Sequence, residues 1–149
     1  MPLTAYLYSR LGTCKGMSFV DSSAIKVCHN RRIKQHKVFA CSAKRGKTLV
    51  DWFFGFKLHL VFNDEGDIVW LHLSSGNKDD RVGLKEMLEN PLKKLFGKLI
   101  GDRGYIGKAF FEGLYKKYGV EMVTGLKKKM KNSRASRTLR YLIFDSSIT

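Results

Sequence analysis

Two aspartates stand where runs of β-like sequence give out. MSFVDSSAIKV (17–27) alternates and is rich in strand-forming residues, with Asp21 within it. KLIGD (98–102) is a short apolar run that stops on Asp102, with glycines at 101 and 104. If the two strands are neighbours in a mixed sheet, their carboxylates converge. Two convergent carboxylates suit Mg²⁺ or Mn²⁺, hard ions that prefer oxygen ligands. A pair of such ions about 3.5–4 Å apart clamps the attacking and leaving oxygens of a phosphoryl transfer. The glycines beside Asp102 would then let a phosphate approach the backbone. Two plainer readings stay open. Asp21-Ser22-Ser23 also suits a turn or cap, and GDRG suits a tight turn in which Asp102 bonds its own backbone.

Charge points to the substrate. The chain carries 28 basic against 13 acidic residues, a formal net charge of +15 over 149 residues. Such an excess repels itself in a compact state, and a polyanion relieves the repulsion. Nucleic acid is the first candidate and an anionic membrane surface the second. The cations are clustered. From Ser22 to Val50 there is no acid, and the span holds His29, Arg31, Arg32, Lys34, His36, Lys37, Arg45 and Lys47. A second acid-free span, Met122 to Phe144, holds Lys127 and Lys128 among others. Each Lys or Arg in such a span can displace a condensed counterion from DNA. Arg81 and Arg103 add cations beside the candidate acids. The acid-free spans contain few aromatics, so they do not read as base-stacking surfaces.

The rest of the chain must position these residues. At 44% hydrophobic and 12% aromatic, it can build a core. No apolar run approaches the roughly 18 residues of a membrane span, and the N-terminus lacks a secretion signal. Cys14, Cys28 and Cys41 form an odd set that suits a reducing cytoplasm. The spacing of Cys28, His29, His36 and Cys41 fits no familiar zinc finger. DWFFGFKLHLVFN (51–63) and DIVWLHLSSG (67–76) read as a hairpin around the turn NDEGD, with Trp52, Phe53, Phe54 and Phe56 as core. Residues 28–50 read as a long excursion with little regular structure. Asp79 or Asp80 caps a helix carrying Leu84, Met87 and Leu88, which Pro91 ends or restarts. Ile106, Phe110, Leu114 and Tyr118 form a helical core stripe. Gly119 ends that helix and 120–126 is a final strand. His59 and His72 lie on neighbouring strands and read as satisfied core or face residues. The sum is an α/β domain with three early antiparallel strands, then parallel strands alternating with helices.

FVDSSAIKVCHNRRIKQHKVF, GFKLHLVFNDEGDI, SSGNKDDR and KLIGDRGYIGKAFFE follow one another in order. Together they resemble the catalytic domain of bacterial insertion-sequence transposases of the DDE class, over nearly all of residues 11–132. The resemblance implies a ribonuclease-H-like fold, Mg²⁺ or Mn²⁺ catalysis, and the cutting and joining of transposon ends. It implies that Asp21 and Asp102 are the first two metal-binding acids, and that Asn77, Asp79, Asp80 and Arg81 lie near them. The expected partner is DNA, both transposon end and target, with room for a homo-oligomer in the DNA complex and none for a membrane. The expected place is the bacterial cytoplasm, at the nucleoid. The tail SRASRTLRYLIFDSSIT (133–149) departs from the family pattern, because none of its acids matches the third, a glutamate. Residues 1–132 therefore read as an incomplete catalytic domain, and 133–149 as a poorly ordered tail of a truncated or frameshifted copy. The rival reading is an inactive nucleic-acid-binding remnant of the same fold.

Overall fold

A computed structural model of the chain describes residues 3–48, 50–89 and 95–125. In chain order the elements are α1 (Leu3–Ser9), β1 (Met17–Cys28), β2 (Lys44–Lys47), β3 (Trp52–Asn63) and β4 (Ile68–Ser75). They continue with α2 (Asp80–Leu88), β5 (Gly97–Gly101), α3 (Lys108–Tyr118) and β6 (Val120–Thr124). Short 3-10 turns occupy Asn30–Gln35 and Arg103–Tyr105.

All six strands join one sheet in the order β2-β3-β1-β5-β6, with β4 also on β3. β3 runs antiparallel to β1, and its other edge is shared by β2 at its start and β4 beyond. The β3–β4 connection is tight because Asn63 organises it. Its Oδ1 accepts the amides of Glu65 and Asp67 at 3.1 and 2.8 Å. β5 pairs parallel with β1, and β6 parallel with β5. Parallel neighbours need a crossover, and α3 supplies the one from β5 to β6. This is the expected ribonuclease-H-like arrangement, three antiparallel strands followed by parallel strands alternating with helices.

Side chains alternate across a strand, so register decides which residues meet the helices. Val20 of β1, Val61 of β3, Leu99 of β5 and Met122 of β6 join one buried cluster with Leu84 and Met87 of α2 and Phe110 and Leu114 of α3. Asp21 points the other way. It pairs with Leu60, on the face where Phe19 and Ile25 remain exposed.

Several expectations are corrected. Residues 28–50 are more regular than their sequence suggests. His29 caps the first 3-10 turn, and KRGK (44–47) is an edge strand. Three cations in four residues carry no strand pattern, and β2 exists only because β3 offers it an edge. Phe53 and Phe54 are core, but Trp52 is 50% exposed at the sheet margin. Ile106 lies outside α3, which starts at Lys108. The alternation of β4 is broken between Val61 and Phe62 of its partner, and Val69 and Trp70 are both buried. The strand at 120 ends at Thr124. Pro91, the boundary at 132 and the tail 133–149 lie outside the described residues.

Candidate metal centre and nucleic-acid surface

The pairing of β1 with β5 sets the position of both acids. It covers Met17–Val20 and Lys98–Gly101, and its last partners are Val20 and Gly101. Asp21 and Asp102 are the next residue on each strand, so they follow at the same level where β5 leaves β1. Each carboxylate is anchored locally. Asp21 Oδ1 accepts the Ser22 amide at 2.8 Å, and Asp102 Oδ1 accepts the Arg103 amide at 2.5 Å, capping the turn Arg103–Tyr105. Both residues are exposed. The tight-turn reading of GDRG and the strand-end reading therefore hold together.

The glycine beside Asp102 has a different reason from the one expected. A Cβ on Gly101 would lie 2.5 Å from Met122 Cε and 2.9 Å from Val20 Cγ1. Core packing, rather than an approaching phosphate, requires the bare backbone there.

Two further acids stand at the start of α2. Asp79 caps α2 through the Arg81 amide, and its carboxylate takes both guanidinium contacts of Arg81, at 2.9 and 2.8 Å. That hydrogen bonding holds the Asp79 carboxyl down at about 2. Asp80 turns inward instead. Its Oδ1 accepts from Ser22 Oγ at 2.9 Å and from Lys57 Nζ at 3.0 Å, and Lys57 also donates to the Lys78 carbonyl at 2.9 Å. Its Oδ2 lies against Gly104, where an added Cβ would be 3.4 Å away. Asp80 is thus bonded to the residue after Asp21 and to Lys57 of β3. Sequence alone could not separate Asp79 from Asp80, because either can cap the helix.

Tyr105 lies in the field of Asp80, Asp21 and Asp102. It is 2% exposed, and its buried hydroxyl has no well-formed hydrogen bond. Burial raises its pKa most, and the charges of Asp80, Asp21 and Asp102 raise it further.

Two carboxylates are hard oxygen donors, so the residues present fit Mg²⁺ or Mn²⁺ in kind. Among the described residues, no group of three or more His, Cys, Asp or Glu side chains is placed to hold a metal ion. That also applies to Cys28, His29, His36 and Cys41.

The expected DNA contacts divide by environment. Arg31, Arg32, Lys34 and Lys37 are exposed on or just after the first 3-10 turn, and Arg45 and Lys47 are exposed on β2. His29 is used as the cap of that turn. The His36 ring is stacked on Phe39 and edge-on to Phe54, with centroids 6.0 and 6.2 Å away. Arg103 is exposed beside Asp102, and Arg81 is held by Asp79. Lys127 and Lys128 lie outside the described residues.

No helix among the described residues is long and apolar enough to cross a membrane. No curated protein and no solved structure matches the chain significantly. A family described as the transposase DDE domain matches residues 11–148. That match runs from before β1 past β6 and includes both strand-end acids. The chain therefore belongs to the transposase DDE domain family.

Proposed function

We propose that this transposase domain cleaves DNA strands and transfers them during transposition of an insertion sequence, using Mg²⁺ or Mn²⁺ held by Asp21 and Asp102. The observation that supports the proposal is the β1–β5 register, which ends at Val20 and Gly101, one residue before each acid. When bound, such ions activate an attacking water or DNA 3′-hydroxyl and stabilise the leaving oxygen. The protein's own residues do the positioning. Asp80 accepts from Ser22 Oγ and Lys57 Nζ, and so fixes the start of α2 against the residue that follows Asp21. Small errors matter here, since in-line phosphoryl transfer depends on placement. Arg31, Arg32, Lys34, Lys37, Arg45 and Lys47 hold the phosphate backbone. The working location is the bacterial cytoplasm, at the nucleoid, where the DNA is.

The test is nicking of supercoiled plasmid by the full chain with Mg²⁺. Nicking should appear with the native chain and be lost in Asp21→Asn and in Asp102→Asn. Equal nicking by all three would remove these acids from the chemistry. The second reading, DNA binding without turnover, is favoured by the lack of a third metal-binding side chain beside the pair among the described residues. It predicts salt-sensitive DNA binding with no Mg²⁺-dependent nicking.

A further inference from the structure

Trp52 should be core by composition, yet it opens β3 half exposed. It lines a shallow pocket of about 270 Å³ together with Asn30, Arg45 and Asp51. The pocket is built rather than accidental. Asn30 Nδ2 donates to the Trp52 carbonyl at 2.8 Å, and Asp51 Oδ1 accepts the Trp52 amide at 2.6 Å. Lys47, paired with Trp52 across β2 and β3, places its ammonium 5.7 Å from the indole centroid. Asn30 Oδ1 is buried with no hydrogen-bond partner.

The chemistry of this lining selects its occupant. An exposed indole offers a π-face, and stacking on it serves any flat aromatic group. Arg45 and Lys47 bring an anion near. The exposed Asp51 carboxylate repels a phosphate seated in the pocket itself and accepts from N–H groups. A ring bearing N–H donors, attached to a phosphate chain, satisfies all of these at once. That is a nucleobase.

The sheet places the pocket on a usable path. Asp21 pairs with Leu60, and β3 carries Leu60, Leu58, Phe56, Phe54 and Trp52 on one face by alternation. Trp52 is therefore on the same face as Asp21, roughly 27 Å away along the strand at about 3.4 Å per residue. At about 3.4 Å per nucleotide in a strand, that span is on the order of eight nucleotides.

We propose that Trp52, with Asn30, Arg45 and Asp51, forms a subsite that stacks one unpaired base of the DNA strand leading away from Asp21 and Asp102. This deepens the proposed function and rests on it for the identity of the polymer. An aromatic platform within a cationic groove is the way proteins hold single strands without reading sequence.

The chain contains two tryptophans, and Trp70 is 4% exposed in the core. Indole quenching by an added oligonucleotide therefore reports Trp52. The probes are a 12-nucleotide single strand of mixed sequence and an abasic strand of the same length. With the native full chain, the base-bearing strand should quench and the abasic strand should bind in low salt without quenching. Trp52→Ala should weaken binding of the base-bearing strand about five- to a hundred-fold, and Trp52→Phe should recover part of the loss. Equal quenching by the two strands, or unchanged affinity in Trp52→Ala with the usual salt dependence, overturns the stacking site and leaves DNA binding standing. Failure of both strands to bind in low salt overturns the DNA reading and this subsite with it.

Discussion

His59 shows what a single buried side chain costs. Its Nε2 is paired with Ser74 Oγ at 2.8 Å, its Nδ1 is buried without a partner, and its ring is stacked on His72 with centroids 6.0 Å apart. Gly83 of α2 lies directly over it, and a Cβ there would fall 2.4 Å from Nε2. Burial lowers the pKa of His59 most. His72 and Lys57 lower it further, and Asp80 and Glu86 oppose the shift. The folded state therefore resists a proton that the unfolded state accepts near the ordinary value of about 6.5. Stability from the neutral ring is present above that value and is lost as pH falls below it toward the depressed folded pKa. Thermal melts from pH 8 down to pH 5.5 should show a Tm loss in the native protein. His59→Gln, which keeps a polar group near Ser74 but cannot titrate, should show a shallower loss. Identical profiles would mean that His59 does not link protonation to folding.

At the scale of elements, β5 and the turn after it carry the most consequence, because they aim Asp102. Gly101 is the tight point. Its Cβ would meet Met122 Cε at 2.5 Å, Val20 Cγ1 at 2.9 Å and the Tyr105 ring at 3.1 Å. The methionine tip can move, but Val20 and Tyr105 are fixed in the core. Gly101→Ala should therefore cost about 1–3 kcal/mol as overpacking, read by urea unfolding. A loss near zero would show that β5 and β6 can part without penalty. The same elements explain what sequence could reveal. β1, β3, β4 and β5 were legible because alternation or a short apolar run marks each, and Asp79, Gly119 and the 63–67 turn punctuate them as expected. β2 was not legible, since its strand state comes from pairing with β3 rather than from KRGK itself. Trp52 looked like core because its neighbours Phe53 and Phe54 are core. The inward turn of Asp80 was hidden for another reason. Only the docking of α2 on the sheet decides which of two adjacent aspartates reaches Ser22.

For the whole molecule, the chain carries a net charge of +15, and one face of the sheet carries both Asp21 and the β2 cations Arg45 and Lys47, the face to which the proposed function assigns the DNA. Replacing Arg31, Arg32, Lys34 and Lys37 with glutamine should flatten the dependence of DNA affinity on salt, by about 0.9 in log–log slope for each duplex phosphate that is no longer neutralised. An unchanged slope would place the backbone elsewhere on the protein. The proposed metal centre requires that Asp21 and Asp102 together hold a divalent ion. Mn²⁺ binding by the full chain, followed by electron paramagnetic resonance without DNA, tests this apart from turnover. The native chain should show a bound Mn²⁺ signal that both Asp21→Asn and Asp102→Asn abolish, with the fold intact by circular dichroism. Undiminished Mn²⁺ binding in either variant would contradict the proposed metal centre.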